Sequence, residues 1–194
     1  MVEVLFEDNQ IIVVKKPQNV LSQGDSTEDK DLLSMIKDYL KEKYNKPGEA
    51  FVGLVHRLDR PTGGVMVFAK NSKSAARLSL QIQNGEFKKA YLAVLVGTPR
   101  DRVGNLSHYL KKDEKTNTVS IMPQTEEGAK LAELHYEIIA EKNELSLAKI
   151  VLKTGRSHQI RVQMASLKTP VFGDAKYGSN SIGNGFNLAL WATE

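Results

Sequence analysis

The chain has 194 residues, of which 41% are hydrophobic and 26% are charged, an ordinary balance for a globular protein. The net charge of +4 permits a polyanionic partner without requiring one, and the absence of cysteine excludes disulfides, thiolate nucleophiles and cysteine-based zinc sites. The longest apolar run, residues 90–96, falls far short of the roughly 20 residues of a membrane-spanning helix, and the N-terminus has no signal-peptide pattern. We therefore expect a cytoplasmic protein without membrane association.

Apolar periodicity predicts a chain of many short strands and three helices. In chain order, the predicted elements are strands at 2–6 and 11–15, a helix at 31–44, strands at 51–55 and 65–69, a helix at 71–83, strands at 87–96, 117–122, 131–140 and 146–152, a helix that begins within 154–161 and ends before Thr169, and a strand at 188–192. No element is predicted in the charged, weakly patterned segment 100–116. The pattern favours an α+β fold with a central mixed, largely antiparallel sheet flanked by helices and loops, in a single domain of residues 1–194.

A charged segment between two apolar runs is the first candidate site. If it is extended, Arg57 and Asp59 project to one side while Leu58 points into the core. Pro61 restricts its own backbone dihedral angle, and the two glycines that follow Thr62 permit conformations that a side chain would forbid. Together they predict a loop that holds Asp59 in one position. The alternative is that Asp59 only pairs with a neighbouring arginine or caps the turn.

Two further candidates lie in the second half of the chain. Tyr91 sits in an apolar strand, where a tyrosine of the core is an equally good interpretation. A group of polar residues at a predicted helix start indicates a pocket wall, although solvated charges at an exposed helix end are favoured by the residues alone; its members are Arg156, His158, Gln159 and Arg161. The four histidines show no metal spacing and no phosphate loop is present, so we predict neither a metal nor a cofactor site.

Taken together, these motifs closely resemble the RluA-type pseudouridine synthases, which isomerise uridine to pseudouridine in structured RNA. The resemblance runs nearly from end to end. It rests on Ile11-Ile-Val-Val-Lys-Lys-Pro17, His56-Arg-Leu-Asp59 with Thr62 and Gly64, Lys89-Ala-Tyr91, and Thr154-Gly-Arg-Ser-His-Gln-Ile-Arg161, followed by Gly173-Asp174 and Tyr177-Gly178.

The resemblance implies a role for each matching position. It implies that Asp59 is the essential catalytic aspartate and that Arg161 is the basic residue paired with it. It also implies that Tyr91 packs on the target base and assists removal of the proton from carbon 5. The positions implied to bind substrate or RNA are His56, Arg57, Arg60, Thr62, Gly64, Arg156, His158 and Gln159. The family uses neither metal nor organic cofactor, and two routes stay open for Asp59, covalent addition or abstraction of a ribose proton.

The implied function is a monomeric RNA uridine isomerase acting on ribosomal or transfer RNA. Three departures from the family pattern stand out: Gly63 replaces a common serine, Trp191 replaces a common histidine, and the chain stops at Glu194, before a terminal strand that relatives usually have. The last departure leads us to expect a C-terminally truncated domain. Two alternatives compete with the enzyme, namely a non-catalytic RNA-binding module of the same fold and an unrelated α+β enzyme with no RNA substrate.

Overall fold

A computed structural model describes residues 2–27, 29–45, 47–178 and 187–194, in which the chain forms two compact units that meet in sequence at Phe87 and Lys88. These residues contain ten strands and three helices. The elements are β1 (Glu3–Glu7), β2 (Ile11–Lys16), α1 (Leu32–Lys43), β3 (Gly53–Leu54), β4 (Gly63–Ala69), α2 (Ser72–Gln83), β5 (Ala90–Val96), β6 (Val103–Asp113), β7 (Thr118–Met122), β8 (Lys130–Lys142), β9 (Leu145–Leu152), α3 (Gln159–Ser166) and β10 (Leu190–Ala192).

The first unit is built on β4, which pairs antiparallel with β2 and with β3, while β1 pairs antiparallel with β2. Alternation along β2 buries every second side chain. Helix α1 begins at Asp31, whose carboxylate accepts a hydrogen bond from the Ser34 backbone N–H, and it buries Leu32, Ile36 and Leu40. The sheet and this apolar helix face supply the core of the unit.

The second unit is an antiparallel sheet with the strand order β10-β5-β9-β8-β6-β7. Helix α3 is buried on all sides, because Ile160 and Met164 belong to the main apolar cluster of this unit while Val162 joins a second cluster with Leu110 and Val119. A helix buried all round fixes its polar side chains as firmly as its apolar ones. The polar residues at the start of α3, Gln159 and Arg161, are therefore held in fixed positions.

The predicted α+β class with largely antiparallel pairing is confirmed, as are both predicted hairpins and the helices predicted at 31–44 and 71–83. The absence of an element in 100–116 is wrong, because β6 spans most of it. Its strand signal is weak since most of its side chains are exposed or half-buried, with Val103 55% exposed. None of the three described helices is both long and apolar enough to cross a membrane.

Candidate active site

The segment that carries Asp59 lies between β3 and β4 in the first unit, and its backbone is anchored on one side. Leu58 is buried, its N–H donates to the Ser22 hydroxyl at 3.1 Å, and that hydroxyl donates back to the Leu58 carbonyl at 2.8 Å. Arg57 is exposed and Asp59 is half-buried. This is the burial pattern expected of an extended segment, so Leu58 fixes the orientation of its two charged neighbours.

The turn after Asp59 is closed by a hydrogen bond from the Thr62 N–H to the Asp59 carbonyl at 3.0 Å, and Thr62 is buried. Gly64 follows with φ = 126°, a backbone conformation that strains any residue with a side chain. The predicted role of this glycine in shaping the loop therefore has a structural basis. Both Thr62 and Gly64 form the frame of the loop that holds Asp59.

Lys16 was not among the predicted site residues, yet it is the main internal support of this loop. It is fully buried opposite Gly64, and its ammonium donates to the carbonyls of Pro17 (3.0 Å), Val20 (2.5 Å) and Arg60 (3.0 Å). Burial lowers the pKa of Lys16 to about 8; the negative charge of Asp59 opposes this decrease. The alternation of β2 offered a signal, because Lys16 falls on the same face as the core residues Ile12 and Val14.

His56 and Arg60 have structural contacts inside the first unit. The His56 Nε2 atom accepts a hydrogen bond from the Val67 N–H at 3.2 Å, and its ring lies 5.4 Å from that of Phe87. Arg60 donates to the Asn19 carbonyl and pairs with Asp29 at 2.7 Å.

Tyr91 lies in the second unit, on a strand with neighbours at both edges. It is opposite Ile150 of β9 and Ala192 of β10 and packs against the main apolar cluster, which includes its alternation partners Ala93 and Leu95. The side chain is half-buried. The strand thus holds the aromatic ring rigidly while leaving part of it accessible.

Arg161 is locked in α3 by a bidentate ion pair. Its Nε and Nη2 atoms donate to the two carboxylate oxygens of Asp174, each at 2.7 Å, and the guanidinium lies 5.1 Å from the centre of the Tyr177 ring. Burial alone would raise the pKa of Asp174, but the hydrogen bonds and charge of Arg161, with the N–H groups of Lys176 and Tyr177, lower it instead. The guanidinium is therefore held in one orientation.

His158 and Gln159 complete this cluster just before and at the start of α3. His158 adopts a left-handed backbone (φ = 51°), and its Nδ1 shares a 2.6 Å hydrogen bond with the Tyr177 hydroxyl, which also accepts from the Val119 N–H at 2.8 Å. Gln159 accepts from the Thr154 hydroxyl and the Arg156 N–H and donates to the Glu133 carbonyl.

The interpretation of this region as solvated charges is thus wrong for His158, Gln159 and Arg161, which are buried, and correct for the exposed Arg156. Asp174 and Tyr177 are the partners that spacing alone did not identify.

The structure therefore collects the predicted residues into two groups, one in each unit. His56 to Gly64 share one loop of the first unit, and Arg156 to Arg161 share one loop and helix start of the second, where Tyr91 also lies. The pairing of Arg161 with Asp59 stays a prediction. Among the described residues, no group of three or more histidine, aspartate or glutamate side chains is arranged to hold a metal ion.

Comparison with known proteins gives the same family over most of the chain. Residues 10–166 match the family described as RNA pseudouridylate synthase. The chain is 34% identical over 182 residues to the uncharacterised RNA pseudouridine synthase YhcT of Bacillus subtilis, and 33% identical over 180 residues to ribosomal large subunit pseudouridine synthase D of Borreliella burgdorferi. These alignments cover 92% and 91% of this chain but 58% and 55% of the relatives, so the chain spans somewhat more than half of their length.

Solved structures agree on the fold. Human RNA pseudouridylate synthase domain containing 4 superimposes with a TM-score of 0.81 at 22% identity, covering 97% of this chain and 81% of that chain. Human RNA pseudouridylate synthase domain containing 1 gives 0.76 at 23% identity, covering 99% and 76%. The predicted pseudouridine synthase fold is confirmed by these superpositions, and the family match over residues 10–166 shows that the chain belongs to the RNA pseudouridylate synthases.

Proposed function

We propose that this chain is the catalytic domain of an RNA pseudouridine synthase, which isomerises specific uridines of a structured RNA to pseudouridine. The observation that carries the proposal is the position of Asp59 in a family signature whose loop is fixed by Leu58, Ser22 and Lys16. A carboxylate that attacks or deprotonates a nucleotide must be held in one place, and a loop with three internal anchors meets that need.

The reaction is an isomerisation that conserves every atom. The bond between N1 of uracil and C1′ of ribose breaks, the freed base rotates while still bound, and C5 joins C1′; the proton on C5 leaves and N1 gains one. Asp59 contributes either by adding covalently or by removing a ribose proton, and each route needs its carboxylate against one face of the nucleotide. No electron acceptor enters this balance, so the chemistry requires no redox cofactor.

Tyr91 and Arg161 supply the other two proposed catalytic functions. The ring of Tyr91 stacks on the flipped base, which offsets part of the cost of unstacking it from the RNA, and the hydroxyl assists removal of the C5 proton. The guanidinium of Arg161 is the basic group that we propose to pair with Asp59. Its rigid attachment to Asp174 supports this role, because a guanidinium whose other side is already fixed loses little side-chain entropy when it binds a second group.

Ribosomal RNA is the favoured substrate class, because several relatives at 31–34% identity are named ribosomal large subunit pseudouridine synthases. Transfer RNA is the second class to be tested. We also propose that the protein acts as a monomer in the cytoplasm, and that Arg57, Arg60 and Arg156 contribute charge to RNA binding.

The test is to incubate the purified protein with unmodified ribosomal and transfer RNA and to map the pseudouridines formed. The expected result is a small number of new pseudouridines in ribosomal RNA, and none with the Asp59→Asn variant. RNA binding without any new pseudouridine in either RNA would contradict the proposal and favour a non-catalytic RNA-binding module.

A further inference from the structure

A pocket in the second unit lies beside the start of α3 and includes only one of the predicted site residues, Arg156. Its volume is about 290 Å³, which is at the lower end of the range for small-molecule sites. The lining residues come from β6, β7, the start of β8 and the loop before α3: Leu110, Lys112, Glu114, Val119, Gly128, Lys130, Gly155, Arg156 and Ser157. We call this cavity the Arg156 pocket.

The Arg156 pocket has an apolar floor and a cationic wall. Leu110 and Val119 are each 4% exposed and belong to the apolar cluster under α3. The lining contains three cations, Lys112, Lys130 and Arg156, and one carboxylate. The carboxylate is that of Glu114, which pairs with Lys112. An apolar surface next to positive charge matches a nucleotide, whose base and sugar pack on the floor while its phosphate meets the cations.

The positive charge at this pocket is only partly neutralised, because Lys112 is the one cation of its lining that forms an ion pair among the described residues. No carboxylate of the described residues forms an ion pair with Lys130, Arg156 or the neighbouring Lys89. Lys89 adds a further cation, because its Nζ lies only 3.4 Å from the position that a Cβ at Gly155 would take. Cations that outnumber the neighbouring acids repel one another and favour an anionic ligand.

The geometry of the loop also holds one cation at the rim. Arg156 donates from Nε to the Leu131 carbonyl at 2.8 Å, and its backbone N–H donates to the Gln159 side chain at 3.0 Å. The Arg156 guanidinium is thus held by one nitrogen, and the hydrogen bond to Gln159 fixes the backbone of its loop.

We propose that the Arg156 pocket binds one backbone phosphate and the attached nucleoside of the substrate RNA, at a nucleotide other than the target uridine. The inference rests on the proposed function, since it takes RNA as the substrate. It assigns Lys89, Lys112 and Lys130 to RNA recognition beside Arg156.

The test measures binding of a fluorescein-labelled oligouridylate of about ten nucleotides to the full chain by fluorescence anisotropy, over a range of salt concentrations. Lys130→Gln is expected to weaken binding about fivefold and to reduce the slope of log Kd against log salt by about 0.7, the value for one phosphate contact of a single strand. Ser157→Phe fills the pocket without changing charge and is expected to weaken binding to a similar degree. Thermal unfolding of both variants checks that they are folded.

Lys142→Gln is the matched control, because Lys142 is an exposed lysine at the other end of β8, about 40 Å from Lys130. It is expected to bind as the wild type does. Wild-type binding by Ser157→Phe, equal losses in the Lys130 and Lys142 variants, or no binding of the oligonucleotide by the wild type would each overturn the proposal.

Turnover measured in parallel separates this inference from the proposed function. A wild-type protein that binds RNA through the Arg156 pocket but forms no pseudouridine contradicts the proposed function alone. Normal pseudouridine formation at saturating RNA by Lys130→Gln, with wild-type affinity, contradicts the pocket assignment alone.

Discussion

Arg161 and Asp174 form a buried, bidentate ion pair, with both nitrogen-to-oxygen distances at 2.7 Å and side chains that are 6% and 0% exposed. The pair joins helix α3, which carries Arg161, to the loop that carries Asp174, 13 residues later in the sequence. Two further N–H groups, from Lys176 and Tyr177, donate to the Asp174 carboxylate. Asp174 is therefore the residue that sets the orientation of the proposed catalytic arginine.

Replacing Asp174 with Asn should leave the Arg161 guanidinium buried with a neutral partner. Breaking a buried ion pair on one side costs about 3 kcal/mol, so we expect the free energy of unfolding to fall by about that amount. Urea denaturation of Asp174→Asn against wild type measures it. Glu127→Gln, at an exposed acid, is the control and should change stability by less than about 0.5 kcal/mol. Equal stability of the two variants would contradict the role of Asp174.

Replacing Lys16 with Met should destabilise the loop that holds Asp59. Three carbonyls lose their donor, and we expect a loss of about 2 kcal/mol at neutral pH. The pKa of Lys16 is lowered from 10.5 to about 8, so the folded protein releases this proton more readily than the unfolded chain. The advantage of wild type over Lys16→Met should therefore increase between pH 8 and 10.5.

Lys15→Met provides the comparison for Lys16, because Lys15 is on the same strand with a side chain that is 43% exposed. Its unfolding free energy should differ little from wild type across the same pH range. A wild-type advantage over Lys16→Met that stays flat or decreases above pH 8 would contradict the account of the buried ammonium.

Glu7 should make the first unit sensitive to acid. Its side chain is 7% exposed and accepts hydrogen bonds from Lys43, Lys70 and two tyrosine hydroxyls, of Tyr39 and Tyr44. Burial raises its pKa, but these bonds outweigh burial and lower the pKa to about 2. The stabilisation is complete above pH 4.5 and is lost as the pH falls towards 2.

The test of the Glu7 network compares Glu7→Gln with Glu3→Gln, an acid on the same strand with a 59% exposed side chain. Glu7→Gln should cost about 2 kcal/mol at neutral pH, and the difference from wild type should shrink on acidification. Glu3→Gln should be close to neutral. Equal effects of the two substitutions would show that the network does not stabilise the unit.

Tyr91→Phe should separate the stacking and proton-transfer functions of this tyrosine. The ring is retained, so affinity for RNA should stay within about twofold of wild type. Loss of the hydroxyl should slow single-turnover pseudouridine formation by about 100-fold or more, the usual effect of removing an acid–base group. Tyr109→Phe, on β6, should change neither value. An unchanged rate in Tyr91→Phe would remove the hydroxyl from the mechanism.

Much of the fold was predictable because it depends on local alternation and capping. The hairpin of β1 and β2 and the helix caps at Asp31 and Asn71 follow from residues adjacent in sequence. Strand β6 was missed because most of its side chains are exposed or half-buried, so its sequence shows little apolar alternation. Its place is set by pairing with β8, which is a tertiary effect.

The residues of the candidate site could be predicted from the sequence, but the side chains that pair with them could not. Asp59, Tyr91 and Arg161 follow from motifs, whereas the partnership of Arg161 with Asp174 and of His158 with Tyr177 depends on a loop that folds back onto α3. Lys16 was missed for a different reason. A lysine in a strand is ordinarily exposed, and only its position on the buried face of β2 indicates otherwise.

The most direct test of the central claim is release of tritium from RNA labelled at carbon 5 of uridine. The isomerisation breaks the bond between carbon 5 and tritium, so tritium release reports that the reaction has occurred. Wild type and Asp38→Asn, which alters an exposed acid on α1, should release tritium at the same rate. Asp59→Asn should release none while remaining folded and bound to RNA. Release by Asp59→Asn at the wild-type rate would contradict the assignment of Asp59 as the catalytic aspartate.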